Sequence, residues 1–129
     1  MKAAFLLPLS LVLGLSACES SSSTAAPTPV VQPVQLPAGW ERVADPSQVC
    51  MVNDQYMGKP QIPIAVEGRT YYGCCPMCKD RLANQPASRV GKDPVTGNDV
   101  DKSVALMVKD ASGKILYFEN EDSLRRYKL

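Results

Sequence analysis

Four cysteines in the middle of the chain are the residues whose type and spacing point most directly to chemistry. Cys50 stands alone, whereas Cys74, Cys75 and Cys78 follow close together. Three or four thiolates suit tetrahedral zinc, and soft sulfur ligands also select copper(I). The chain contains no histidine, which removes the usual general base and the commonest metal-ligating side chain. The sequence therefore predicts one thiolate metal site and no enzymatic activity.

Methionines near these cysteines are candidate auxiliary ligands. Met51, Met57 and Met77 lie close to the thiols in sequence, and their thioethers favour copper(I) slightly over zinc. Filling gaps in the hydrophobic core is the alternative and the commoner role of a methionine. The sequence leaves both roles open for Met51 and Met77, and leaves copper(I) and zinc as candidates for a single bound ion.

The balance of charged residues does not indicate an anionic partner. Lysine and arginine number 14 and aspartate and glutamate 13, so no nucleic-acid partner is expected. The carboxylates of the second half, Asp93 among them, are predicted to form a solvated face, because no spacing singles out a pair.

A β-hairpin and a short helix are the elements that must position the clustered cysteines. Residues 62–66, a turn at Glu67-Gly68 and residues 69–72 predict strand, turn and strand. Pro76 suits the first helical position, where its missing N–H costs nothing, so Cys75 lies near the N-cap. A helix N-terminus stabilises thiolates. We expect the hairpin to bring Cys50, on an upstream loop, back to this helix start.

The same order of elements recurs about 45 residues later, which predicts an internal repeat. Gly68 aligns with Gly113, residues 104–108 and 114–118 are the predicted strands, and Asn120 takes the N-cap position. The positions of Cys50, Cys74 and Cys78 correspond to, or lie near, Thr96, Glu119 and Ser123. The second unit is therefore predicted to keep the scaffold and to lose the metal site.

The first half resembles the YHS and TRASH heavy-metal-binding domains. The resemblance rests on the early Cys50, on Tyr71-Tyr72, and on the Cys-x-x-x-Cys spacing of Cys74 and Cys78. It implies that Cys50, Cys74 and Cys78 are the first ligands of the metal, with Cys75 as a fourth ligand or a nearby spare thiol.

The second half carries another part of this resemblance. Residues 93–98, Asp-Pro-Val-Thr-Gly-Asn, look like the YHS opening Asp-Pro-Val-Cys-Gly-Met, with Thr96 and Asn98 replacing the cysteine and the methionine. The design is also similar, more loosely, to the anchored lipoproteins that deliver copper to nitrous oxide reductase. That likeness implies a metal-donor or metal-acceptor protein as a partner.

The N-terminus is typical of a secretory signal. Lys2 precedes an apolar run over residues 3–15, which is too short for a membrane span. Residues 15–18, Leu-Ser-Ala-Cys, resemble the lipobox of bacterial lipoproteins, which implies cleavage before Cys18 and attachment to the membrane through lipid on that cysteine. Glu19 at the next position implies an outer-membrane protein facing the periplasm in a Gram-negative cell.

The expected fold class is α+β, with two small repeated β-hairpin–helix units of treble-clef or YHS type packed together after a disordered tether. Residues 1–17 are the predicted signal peptide, and residues 18–39 the lipidated N-terminus and its Ser/Pro-rich tether. Residues 40–90 form the predicted cysteine-bearing unit, and residues 91–129 the degenerate repeat.

Three functions are consistent with these residues. The first is trafficking, buffering or sensing of a soft metal by an envelope lipoprotein. The second is a non-catalytic interaction domain, in which the four cysteines form two disulfides that stabilise a small fold. The third is thiol redox chemistry at the Cys75-Pro76-Met77-Cys78 motif, although the domain is short for a thioredoxin-like fold.

Overall fold

The computed structural model describes residues 33–127 of the chain. The predicted signal peptide, Cys18 and the tether as far as residue 32 lie outside these described residues. No helix within residues 33–127 is long and apolar enough to cross a membrane. The elements, in chain order, are β1 (Glu41–Arg42), β2 (Val49–Cys50), β3 (Gln55–Tyr56), β4 (Ile62–Val66), β5 (Arg69–Gly73), α1 (Pro76–Asn84), β6 (Val90–Lys92), β7 (Asp99–Asp101), β8 (Leu106–Lys109), β9 (Ile115–Phe118) and α2 (Glu121–Arg126).

The predicted α+β class is confirmed, with small antiparallel sheets and two short helices. β8 lies between β1 and β9 in a three-stranded sheet, while β2–β3, β4–β5 and β6–β7 form separate hairpins. Two further 3₁₀ turns, Pro46–Gln48 and Pro86–Arg89, precede β2 and β6.

The first predicted hairpin and helix form, with β5 ending one residue later than expected, at Gly73. Glu67 and Gly68 both have positive φ, 51° and 76°, as a two-residue turn between right-twisted strands requires. Pro76 is the first residue of α1, and Cys75 is its N-cap.

The second hairpin differs from its prediction at one end. β8 begins at Leu106, not at residue 104, because the N–H groups of Val104 and Ala105 donate to the Asp101 carbonyl, at 3.2 and 3.0 Å, and form a turn. Asn120 is the N-cap of α2, as predicted, and its side chain accepts from the Ser123 N–H at 2.9 Å.

Single backbone hydrogen bonds join the small sheets to one another. The N–H of Met51 donates to the Tyr72 carbonyl at 2.9 Å, which places the end of β2 beside β5. The N–H of Tyr56 donates to the Gly113 carbonyl at 2.8 Å, which joins β3 to the turn before β9. The cysteine-bearing strand β2 is thereby fixed between the two longer hairpins.

Two hydrophobic clusters lie under these sheets. The first draws on both halves of the chain and contains Val49, Met51, Ile64, Tyr71, Leu82, Met107, Ile115 and Tyr117. The second consists of Val108, Phe118 and Leu124, with Trp40 and Tyr127 packed against it. Val34 and Leu36, which the sequence interpretation assigned to the tether, also pack on this second cluster.

A buried lysine connects the two halves. Lys102, only 5% exposed, donates from Nζ to the Met51 carbonyl at 2.7 Å and to Asp54 Oδ1 at 2.6 Å. The same ammonium lies 5.1 Å from the centre of the Tyr117 ring, and the Tyr117 hydroxyl donates to Asp54 at 2.9 Å. Burying a charge is unfavourable unless it is paired and hydrogen-bonded, so these contacts must form together.

Replacing Lys102 by methionine tests this connection. We expect Lys102→Met to lower the free energy of unfolding by about 2–3 kcal/mol, because a buried carbonyl and a partly buried carboxylate lose a charged donor. The measurement is urea unfolding of the reduced, metal-free protein. Lys92→Met is the control, since the Lys92–Asp99 pair is exposed and a change below about 0.5 kcal/mol is expected there. Equal effects of the two substitutions would contradict the role given to Lys102.

Candidate metal centre

Three thiols converge where β5 meets α1. Cys50 lies on β2, Cys74 directly follows β5, and Cys78 lies in the first turn of α1. Their three Sγ atoms lie within 4.8 Å of one another, and this trio can hold one metal ion. Sequence reasoning placed Cys50 on a loop, whereas it forms the end of a two-residue strand that the Met51–Tyr72 hydrogen bond aligns with β5.

A glycine allows the helix to start close to the strand. A Cβ atom at Gly73 would lie 3.0 Å from Cys78 Cβ and 3.2 Å from the Lys79 nitrogen. Side-chain atoms rarely approach so closely without a shift of their neighbours, so glycine at this position sets the approach of Cys78 to Cys74.

The distances within the trio match those between ligands of a common ion. The Sγ–Sγ distance is 4.0 Å from Cys50 to Cys78 and 3.6 Å from Cys74 to Cys78. Tetrahedral ligands with metal–sulfur bonds of about 2.3 Å lie about 3.8 Å apart, and trigonal ligands about 4.0 Å apart. The thiols therefore need little movement to bind one ion.

The trio is largely removed from solvent. Cys50 is fully buried and Cys78 is 6% exposed, while Cys74 is half-buried. Asn53 donates from Nδ2 to Cys74 Sγ at 3.7 Å, which helps to hold the most accessible of the three thiols. All four described cysteines are free thiols.

Backbone donors favour the thiolate form of Cys50. Burial raises the pKa of Cys50, but the N–H groups of Asn53, Cys74 and Val52, together with the Cys74 thiol, outweigh burial and bring the pKa below its ordinary value. Donation to Cys50 raises the pKa of Cys74, and burial raises the pKa of Cys78 to about 12. A bound cation would supply the positive charge that favours loss of the remaining protons.

Cys75 has a different environment. Its Sγ accepts from the Cys78 N–H at 3.4 Å as the cap of α1, and this N–H lowers the pKa of Cys75. The Sγ atoms of Cys75 and Cys78 are 3.2 Å apart. Cys75 is nevertheless not among the thiols that all lie within 4.8 Å of one another.

The three candidate methionines differ in exposure. Met51 is fully buried in the first hydrophobic cluster, whereas Met77 is 72% exposed in the first turn of α1. Met57 is 38% exposed. The packing role left open in the sequence analysis is thus filled by Met51, and Met77 is a surface thioether.

Oxygen atoms meet in the second half, at the residues that the sequence alignment predicts to correspond to the thiols. The Thr96 hydroxyl donates to Glu119 Oε2 at 3.0 Å, and the Ser123 hydroxyl donates to Asp93. Asp93 also accepts from the N–H groups of Thr96 at 3.2 Å and Glu119 at 2.9 Å. This centre is therefore a hydrogen-bonded network built around a carboxylate.

Asp93 is a buried structural residue that the sequence predicted to be exposed to solvent. The prediction of a solvated face is wrong for this carboxylate, which is only 1% exposed. The available signal was the Asp-Pro-Val-Thr order, because an aspartate that accepts from the N–H groups two and three residues later forms a common local turn.

Comparison of the chain with protein-family models, with curated proteins and with solved structures gives no match. Membership of the YHS or TRASH group accordingly stays a prediction. The geometry of the thiols supplies the argument for function.

The role of Asp93 is tested by Asp93→Asn. We expect the variant to lose about 2–3 kcal/mol of unfolding free energy at pH 7, because an amide N–H₂ would face the donors that the carboxylate now accepts. Burial raises the pKa of Asp93, but the Ser123 hydroxyl and the N–H groups of Glu119, Val95 and Thr96 bring it below its ordinary value. Its stabilisation is therefore complete above the unfolded-state pKa and is lost as pH falls through the folded-state pKa.

The measurement is urea unfolding at several pH values. The difference between wild type and Asp93→Asn should narrow below about pH 4, where Asp93 of the unfolded wild-type chain binds a proton more readily than Asp93 of the folded chain. The exposed Asp99→Asn variant serves as the control and should change stability by less than about 0.5 kcal/mol. A difference independent of pH down to pH 2 would contradict this account of Asp93.

Proposed function

We propose that this protein binds one soft metal ion through Cys50, Cys74 and Cys78 and acts in the trafficking, buffering or sensing of that ion, without catalysing a reaction. The observation that carries the proposal is the convergence of the three Sγ atoms within 4.8 Å. These cysteines come from three different elements, and two of them are buried. Such convergence supports a role of the thiols beyond local packing.

Copper(I) is the ion that this arrangement favours, with zinc as the alternative. Structural zinc is almost always bound by four ligands, whereas soft thiolates also select copper(I). The mutually close set contains three thiols, and the chain has no histidine to complete a zinc site.

We propose further that the protein is a lipoprotein of the cell envelope. The support comes from the sequence, in the apolar run over residues 3–15 and the Leu-Ser-Ala-Cys order that ends at Cys18. Lipid on Cys18 would hold the metal-binding domain at a membrane surface, where it meets metal donors or acceptors.

We also infer that the two hairpin–helix segments descend from one duplicated unit. Cys75 and Asn120 cap α1 and α2 in the same way, each accepting from the N–H three residues later. Contacts of Thr96, Glu119 and Ser123 within one network support the alignment of these residues with the thiols. On this proposal the second copy exchanged a metal for hydrogen bonds around Asp93.

Metal content tests the main proposal. The full chain carrying Cys18→Ser, so that only the four domain thiols remain, is purified anaerobically without reductant or chelator. We expect about one copper or zinc per chain by mass spectrometry and four free thiols in denaturant. Cys78→Ser should abolish stoichiometric binding, because Cys78 contacts both other members of the trio.

Ser123→Ala is the matched control, since Ser123 occupies the corresponding position in the second half and its loss should leave metal content unchanged. Circular dichroism verifies that each variant is folded. Unchanged binding by Cys78→Ser would overturn the assignment. Absence of metal, even after copper(I) is offered under reducing conditions, together with absence of free thiols in the native sample, would instead identify a disulfide-stabilised domain.

Lipid attachment is tested by detergent phase partition of the full chain expressed in a bacterium. We expect the wild type in the detergent phase and Cys18→Ser in the aqueous phase, because only Cys18 lies in the lipobox-like segment. Cys75→Ser should remain in the detergent phase. Partition of Cys18→Ser with the wild type would contradict lipidation at this residue.

A further inference from the structure

Cys75 lies next to the trio without belonging to it. Its Sγ is 3.2 Å from Cys78 Sγ, which is shorter than the separation of about 3.8 Å between two ligands of a tetrahedral ion. The trio distances of 3.6 and 4.0 Å bracket that separation. Since Cys75 is not among the thiols that all lie within 4.8 Å of one another, it is placed to contact the ion after a small shift.

Sulfur atoms of different exposure lie at the start of α1. Cys50 and Cys78 are buried, whereas Cys75 is half-buried and Met77 is 72% exposed. A thiolate of another protein reaches Cys50 and Cys78 less easily than a half-buried thiol, so a more accessible ligand would help to pass the ion on. Cys75 lies between the surface and Cys78, with its Sγ 3.2 Å from Cys78 Sγ.

Cys74 is also half-buried, but it has a different position in the site. It belongs to the trio, so its release would leave the ion with two protein ligands. Cys75 can bind the ion while the trio is still attached. An exchange that begins with addition of a ligand avoids the poorly coordinated state.

We propose that Cys75 is the exchange ligand, through which the metal passes between the trio and the thiolate of a partner protein. This inference rests on the proposed metal-binding function. A bond from the ion to Cys75 Sγ forms while the trio is still attached, the bond to Cys78 Sγ then breaks, and the partner's thiolate replaces the remaining cysteines in turn. Each incoming thiol releases its proton to water and each outgoing thiolate takes one up, and the oxidation state of the metal does not change.

Cys75→Ser is the variant that separates exchange from binding. Serine is a good N-cap and preserves the capping of α1. In the full chain carrying Cys18→Ser, loaded anaerobically with copper(I), we expect one ion per chain and an affinity within about threefold of the parent. Transfer to a synthetic peptide with a Cys-x-x-Cys motif, followed by stopped-flow spectroscopy, should be at least about tenfold slower, as expected for loss of an accessible thiolate.

Cys74→Ser is the matched comparison, because it removes a thiol of similar exposure that belongs to the trio. It should weaken equilibrium binding at least about tenfold, as loss of one thiolate ligand implies. A transfer rate unchanged by Cys75→Ser would overturn the exchange role, as would a loss of affinity equal to that of Cys74→Ser. Absence of metal in the parent chain would refute the proposed function itself, a result distinct from either of these.

Discussion

The ammonium group of Lys102 is buried in a small domain whose sheets are short, and much of the structure follows from the need to pair it. Its partners are the Met51 carbonyl and the Asp54 carboxylate, both in the segment between β2 and β3. That segment also supplies the N–H groups of Val52 and Asn53, which stabilise the Cys50 thiolate. A charge contributed by the second half of the chain thus fixes the backbone around a cysteine of the first half. The pairing is specific because an unpaired buried charge would be strongly unfavourable.

The start of α1 depends on a close approach between the helix and β5. Gly73 lets the helix begin in contact with β5, and Cys75 caps the helix with a sulfur atom instead of the usual oxygen. The thiols of the Cys-Cys-Pro-Met-Cys segment therefore differ in exposure. Cys78 is buried against Cys50, whereas Cys75 is nearer to solvent. One helical turn thus carries a buried thiol of the candidate site and, at its cap, a more accessible thiol. This division is the basis for assigning binding and exchange to different residues.

The second half contains a hydrogen-bonded centre without thiols. Asp93 accepts from backbone and hydroxyl donors, and Asn120 caps α2 through its side-chain oxygen. The network satisfies polar groups that would otherwise be buried without partners. Because the first hydrophobic cluster includes Met107, Ile115 and Tyr117, the second half also supplies part of the core beneath the cysteine-bearing strand. The second half therefore holds the strand that carries Cys50 in position by packing against it.

Local features of the sequence determined the hairpins, the helix starts and the identity of the candidate ligands. Glu67-Gly68 specifies a tight turn, Pro76 specifies the beginning of a helix, and both depend only on neighbouring backbone geometry. The tertiary structure decided how closely the predicted trio of thiols meets, that Asp93 and Lys102 are buried, and that Met51 belongs to the core while Met77 is at the surface. Those outcomes depend on contacts between residues far apart in the chain, such as Met51 with Tyr72 and Lys102 with Asp54. Periodicity and spacing carry no information about such contacts, because burial of a polar group depends on whether distant partners arrive to satisfy it.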